Sequence, residues 1–206
     1  MYKSPIMFLA FLSMIITGSA NAAITAVNNG GEIIAPPAIV IDTLVTNDHQ
    51  QGFNEQQGVL LLAPLAVDAG FIAPGTIVNS HMIFLNQAGG GPILSHLGVD
   101  WTFDSLILGV MSDEDGLLEG ASTLLLGNPG TTYPAPFPLR GMEGGTADGY
   151  LIAGSVLTVD MNVAQPGDWI RVITAASLSV PEPSTYLVLT GFLAFTLLLA
   201  RRRVHA

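Results

Sequence analysis

The sequence predicts an all-β fold: an antiparallel β-sandwich, jelly-roll-like, with one short helix, set between an N-terminal signal peptide and a C-terminal transmembrane helix. Three observations carry that expectation. Apolar and polar residues alternate with period two in several segments, as half-buried strands require. The 23 glycines and 13 prolines punctuate the chain at short intervals, which favours turns between short strands over long helices. Of the 206 residues, setting aside one processed segment at each end leaves a domain of ordinary size, 23–179, long enough for a single core.

At the front, Lys3 supplies a positive n-region, Ile6 to Ile16 is an apolar h-region, and Ala20-Asn21-Ala22 is an A-x-A cleavage site. Residues 1–22 therefore read as a signal peptide, with the mature chain beginning at Ala23. The h-region is too short for a comfortable membrane span. Ile39 to Val45 and Val59 to Leu62 are strand candidates. Residues 76–86 form a longer β-rich segment that starts after the Pro74-Gly75 turn. Gly89-Gly90-Gly91 lacks the lysine and following Ser or Thr of a phosphate loop and reads as a flexible hairpin connection.

Val99-Asp100-Trp101-Thr102-Phe103-Asp104 alternates most cleanly: Val99, Trp101 and Phe103 share one face, and Asp100, Thr102 and Asp104 the other. Leu106 to Met111 fits a strand buried on both faces, or a strand resuming after a bend at Asp104-Ser105. Gly116 to Gly127 reads as the helix, because Leu117, Leu118, Ala121, Leu124 and Leu125 fall on one face. Asp113, Glu114 and Asp115 stand where a helix N-terminus favours negative charge. A Gly/Pro-rich connection, Asn128 to Pro138, follows. Leu157 to Val163 repeats the strand alternation, and 169–175 is a last β-rich segment after Pro166-Gly167-Asp168.

Composition excludes several kinds of chemistry. With no cysteine there are no disulfides, zinc-thiolate sites or cysteine nucleophiles. Segment 23–183 holds two basic residues, Arg140 and Arg171, against 16 acidic ones, a net of −14. Such a surface repels nucleic acid and anionic lipid and suits cations or neutral glycans. Acidity also keeps an extracellular domain soluble.

Candidate sites are few. Asp113-Glu114-Asp115 with Glu119 is the densest carboxylate cluster and supplies the calcium candidates, since calcium takes six to eight oxygens. No EF-hand or RTX-type spacing accompanies it, and helix capping is the simpler expectation. Trp101 and Trp169 could stack on sugar rings, although alternating strands place such residues in the core. His49, His81 and His96 have no paired metal spacing, and His205 lies in the tail. Ser95 and Ser155 lack a Gly-x-Ser-x-Gly frame. A glycosidase needs two opposed carboxylates, a condition that so many acids make uninformative. Arg171, on a strand, is expected to pair with one of the acids in a structural role. No metal and no cofactor are expected.

At the back, Val180-Pro181-Glu182-Pro183-Ser184 precedes a 15-residue apolar run, Tyr186 to Ala200, and Arg201-Arg202-Arg203 follow. The prolines can continue neither a strand ladder nor a helix and hold an extended segment before the run. As a helix the run spans about 22 Å at roughly 1.5 Å per residue, short of a hydrocarbon core of about 30 Å. Ser184, Thr185 and snorkelling arginines narrow the gap. The positive-inside rule keeps the arginines cytoplasmic and the domain outside.

This order of parts, 180–206 with its span at 186–200, resembles the PEP-CTERM sorting signal of Gram-negative bacteria. The resemblance implies recognition by exosortase, an integral-membrane cysteine protease and transpeptidase. It further implies removal of the tail near Pro-Glu-Pro and passage to the cell surface or exopolysaccharide matrix. The middle is similar to the ectodomain of one group of PEP-CTERM proteins, through Thr76 to His81, Phe103-Asp104 with Ile107 to Val110, Leu125 to Gly127 with Pro129 to Pro134, and Asp168 to Thr174. That group implies a shared domain and no particular activity.

Two roles stay open. One is a non-enzymatic surface or matrix protein whose partners are the exosortase, the membrane before processing, and exopolysaccharide. The other is a carbohydrate-binding or calcium-dependent adhesion module carried on the same tail. Neither involves nucleic acid.

Overall fold

The computed structural model describes residues 23–41, 44–87, 92–143, 148–163 and 167–176. The signal peptide, the Gly89-Gly90-Gly91 connection and the whole of 180–206 lie outside the described residues. No helix among the described residues is long and apolar enough to cross a membrane.

The domain is mostly β with one short helix. In chain order its elements are β1 (Ile24–Val27), β2 (Glu32–Ile33), β3 (Gln51–Asn54), β4 (Val59–Leu60), β5 (Leu65–Val67), β6 (Gly70–Ile72), β7 (Ile77–Asn86), β8 (Leu94–Phe103), β9 (Ile107–Met111), α1 (Leu117–Leu126), β10 (Gly149–Ala153), β11 (Val156–Val163) and β12 (Gly167–Ala175). A four-stranded sheet runs β1-β8-β11-β10. A six-stranded sheet runs β2-β3-β7-β12-β9, with β4 also on β7, and β5-β6 form a separate hairpin. All pairings are antiparallel except β2 with β3.

Alternation explains how the sheets meet. Val99, Trp101 and Phe103 of β8 and Leu157, Val159, Met161 and Val163 of β11 are buried, as the period-two pattern predicts. They share one core with Ile83 and Leu85 of β7 and Ile170 and Val172 of β12. Fully burying such a side chain is worth about 1.5–3 kcal/mol, so these faces drive the two sheets together. Gln50, fully buried just before β3, bolts them with polar contacts. It accepts from the Trp101 indole N–H (3.0 Å) and donates from its amide to the carbonyls of His96 (2.8 Å) and Val159 (3.1 Å).

The six-stranded sheet is buried on both sides. On β12, Ile170 and Val172 face the four-stranded sheet, while Trp169 and Ile173 face two further clusters. Trp169 packs with Val40, Phe53, Met82 and Phe84. Ile173 packs with Val78, Met111, Leu126 and the β5-β6 residues Leu65, Val67 and Ile72. An outer layer of α1, the β5-β6 hairpin and the loops before β3 and after α1 therefore closes the second face.

Two expectations are corrected. The described residues of Ile39 to Val45 do not form a strand: Ile39 makes one parallel bridge to Thr132, and the Leu44 and Val45 amides turn back onto the Ile41 carbonyl. The Val40 carbonyl is taken by the side chains of Asn86 and Trp169, which leaves no ladder to extend. β7 and β8, the strands on either side of Gly89-Gly90-Gly91, belong to different sheets and so do not pair as a hairpin.

Candidate functional site

The densest set of buried ionisable groups lies between β12 and α1. Arg171 sits in the middle of β12 on the face that looks outward from the six-stranded sheet, and it is fully buried. Its Nε and Nη2 donate to the two carboxylate oxygens of Glu55, at 2.7 and 2.9 Å. Glu55, just after β3, also accepts from the Ser80 hydroxyl at 2.6 Å. From the same guanidinium, Nη1 donates to the Glu119 carbonyl and the Ser122 hydroxyl of α1, each at 2.7 Å. The Tyr133 ring lies 5.6 Å from the guanidinium carbon. Arg171 thus ties the helix to the strand beneath it, and the structural pairing expected for it is found.

That arrangement explains why the helix is turned the wrong way for its own pattern. The expected helix is present, but Leu117, Ala121, Leu124 and Leu125 face solvent, and Leu124 is 100% exposed. The buried positions are Glu119, Ser122 and Leu126. A buried guanidinium needs acceptors, and the Glu119 carbonyl and Ser122 hydroxyl supply them. The electrostatic demand of Arg171 outweighs the apolar stripe.

Beside this closed pair lies an open one. Arg140 is fully buried, with its guanidinium carbon 5.6 Å from the Trp169 ring and Nη1 donating to the Pro134 carbonyl at 2.9 Å. Its Nε and Nη2 make no hydrogen bond among the described residues, and neither do the two carboxylate oxygens of Glu119. Burial pushes the Glu119 carboxyl up to about 8, with Arg140 pulling the other way. Gly116 stands at φ 64° before the helix, and a Cβ there would lie 2.5 Å from Arg140 Cδ. A side chain at that position would displace the arginine.

A carboxylate group lies near the start of β12. Burial, then the charges of Asp148 and Glu143, push the Asp168 carboxyl up to about 9. Burial and a hydrogen bond to Asp148 push Glu143 to about 7. Among the described residues, no group of three or more His, Cys, Asp or Glu side chains is placed to hold a metal ion.

The candidates from sequence fall as follows. Asp113 caps α1: its Oδ2 and Oδ1 accept from the amides of Leu117 (2.7 Å) and Leu118 (2.9 Å). Glu114 and Asp115 are exposed beside it. Trp101 and Trp169 are both fully buried, so neither offers a face to a sugar. His81 is buried between Asn54 and Thr174, donating from Nδ1 (2.8 Å) and accepting at Nε2 (3.0 Å); burial holds it neutral, down to about 3. His96 accepts from the Gln50 amide and donates to the Asn29 carbonyl. His49 contacts Asp48 and Glu32, which outweigh its partial burial and raise its pKa. The Ser95 hydroxyl donates to Asn162, and the Ser155 carbonyl accepts from Phe103.

Of the processing residues, Ala23 alone is described, and its carbonyl accepts from the Asp104 amide at 3.2 Å. Ala20, Ala22, Val180 to Ser184 and Arg201 to Arg203 lie outside the described residues.

Sequence reasoning missed Glu55, Arg140 and Tyr133 as members of the buried layer. One signal was present: Arg140 and Arg171 are the only basic residues between Lys3 and Arg201. In a chain this acidic, isolated arginines are candidates for buried pairing. Compared with protein-family models, curated proteins and solved structures, the chain matches none.

Proposed function

We propose that this chain is an exported, non-enzymatic surface or exopolysaccharide-matrix protein of a Gram-negative bacterium, sorted through a PEP-CTERM signal and trimmed by an exosortase. Its ectodomain is read as a jelly-roll-like β-sandwich, because two sheets share one core and successive strands cross between them.

The observation that supports this best is where the first and last described strands lie. β1 begins at Ile24, directly after the expected first mature residue, Ala23. β12 ends at Ala175, ahead of Val180. Both ends are held by one short turn: the Asp104 amide donates to the Ala23 carbonyl (3.2 Å) and the Ala175 amide donates to the Leu106 carbonyl (2.9 Å). Every strand and the helix among the described residues fall between the two processing sites, so cutting at both leaves the described ladder intact. The charge distribution agrees. With both ectodomain arginines buried, the exposed charges of the domain are acidic apart from histidine. That keeps an extracellular domain soluble and away from anionic lipid.

The test is replacement of Pro181, Glu182 and Pro183 by alanine in a host with a working exosortase. The variant is expected to stay full-length in the membrane fraction while the unaltered chain is trimmed and released. Equal trimming of both would overturn the sorting role of the motif.

A further inference from the structure

The lateral edges of the two sheets are not treated alike. β9, at one edge of the six-stranded sheet, is covered by the β5-β6 hairpin: the Asp68 amide donates to the Val110 carbonyl (2.9 Å), and the Asp68 carboxylate accepts from the Ser112 amide and hydroxyl (3.0 and 2.8 Å). β2, at the other edge, is two residues long. β1, at one edge of the four-stranded sheet, lies against β2 and β3, and the Ile24 amide donates to Asn54 of β3 (3.0 Å). β10 is the remaining edge: its contact with the β5-β6 turn is made by a side chain, the Tyr150 hydroxyl donating to Asp68 Oδ2 at 3.0 Å, and among the described residues no strand pairs with its outward backbone.

β10 reads Gly149-Tyr150-Leu151-Ile152-Ala153, with no charge and no proline. Natural edge strands are blunted by lysine, proline, bulges or coverage, because a bare edge is a template for another strand. Leu151 is 68% and Ile152 41% exposed. The β10-β11 hairpin closes on a two-residue turn, Gly154-Ser155, with Gly154 at φ 68°. Ala153 and Val156 are then its closing hydrogen-bonded pair, and Leu151 and Gly149 likewise bond inward. Tyr150 and Ile152 direct their N–H and C=O groups away from β11, and these groups have no backbone partner among the described residues.

We infer that β10 pairs with β10 of a second copy of this chain, antiparallel, with the two-fold axis at Leu151. The free groups fix that register: Tyr150 of each copy exchanges hydrogen bonds with Ile152 of the other, and the two Leu151 residues face each other as a non-hydrogen-bonded pair. The four-stranded sheet becomes an eight-stranded one across the axis. Charge selects this edge. The segment 23–183 carries a net of −14, so most contacts between copies bring acids together, whereas β10 itself contains no acid and the carboxylate that touches it, Asp68, is already taken by the Tyr150 hydroxyl and by the Ser112 amide and hydroxyl. The nearest acid in sequence, Asp148, falls opposite Gly154 of the partner copy. The two Asp148 residues lie about 20 Å apart at roughly 3.4 Å per residue, beyond the screening length of about 8 Å at physiological salt.

The absence of cysteine makes the test direct. Leu151→Cys in the full-length chain places two sulfurs across a non-hydrogen-bonded pair, where Cα atoms stand about 4.5 Å apart, within disulfide range. Leu124→Cys, fully exposed on α1, is the control for random collision. With copper–phenanthroline and air as oxidant, detergent-solubilised Leu151→Cys protein is expected to form covalent dimer at least about tenfold faster than Leu124→Cys. In sedimentation, the cysteine-free chain is expected to associate as concentration rises, and Leu151→Glu to lose that association. Equal rates for the two cysteine variants, or association undiminished in Leu151→Glu, would overturn the pairing.

Discussion

Replacing Glu55 by Gln preserves the shape of the side chain and removes its charge. Arg171 is then left as an uncompensated cation in a site with no water access, its partner formerly at 2.7 and 2.9 Å. Breaking a buried pair from one side costs about 3–5 kcal/mol. At roughly 2–4 °C per kcal/mol for a domain of this size, the midpoint should fall by about 6–20 °C. Arg171→Met should cost a similar amount, because it takes the guanidinium from the buried Glu55 carboxylate and leaves the Glu119 carbonyl and Ser122 hydroxyl without their donor. The double variant Glu55→Leu/Arg171→Met removes both charges. Its cost should shrink to that of the orphaned helix acceptors, about 1–3 kcal/mol, well below the sum of the single variants. Urea unfolding followed by tryptophan fluorescence is the assay. Trp101 and Trp169 are the only tryptophans and both are buried in this domain, so the signal reports it even in the full chain. A loss below about 1 kcal/mol for Glu55→Gln, the range of exposed pairs, would refute the claim that this pair holds the outer layer to the sheet.

Other outcomes follow from the same layer and its surroundings. The Glu119 carboxyl is raised from 4.5 to about 8, so its contribution to stability is present below 4.5 and lost as pH rises through about 8; Asp168 acts in the same direction up to about 9. Glu119→Gln should therefore lose less stability than the unaltered chain between about pH 5 and pH 8, and identical slopes in pH-dependent melts would contradict this. A Cβ at Gly52 would lie 2.6 Å from Trp101 Cζ3; Gly52→Ala should cost about 1–3 kcal/mol by overpacking, read by the same urea titration. Asp113→Ala should cost about 0.5–2 kcal/mol through loss of the helix cap. Chelation with EDTA should leave the melting temperature of the unaltered chain unchanged, and a drop would restore calcium to Asp113, Glu114 and Asp115.

The long strands were legible because their burial is one-sided and periodic. Val99, Trp101 and Phe103 alternate with polar residues, and the structure buries that set; Leu157 to Val163 behaves in the same way. β12 was found as β-rich, but its double burial was hidden, because Trp169, Arg171 and Ile173 are covered by elements remote in sequence. The short strands β1, β2 and β3 were missed. At two to four residues they carry too few positions to show a period. The helix was legible in extent and misleading in face: its leucines form a stripe, yet Arg171, far along the chain, dictates that Glu119 and Ser122 turn inward. Pairing between Arg171 and Glu55 could not be assigned from spacing, since they are brought together only when β12 and β3 flank β7.

The sorting account rests most directly on the intact mass of the exported protein, isolated from a host with a working exosortase. The account predicts a chain that begins at Ala23 and lacks Arg201, Arg202 and Arg203, having been cut near Pro181-Glu182-Pro183. A membrane-embedded chain still ending at Ala206 in that host would contradict it.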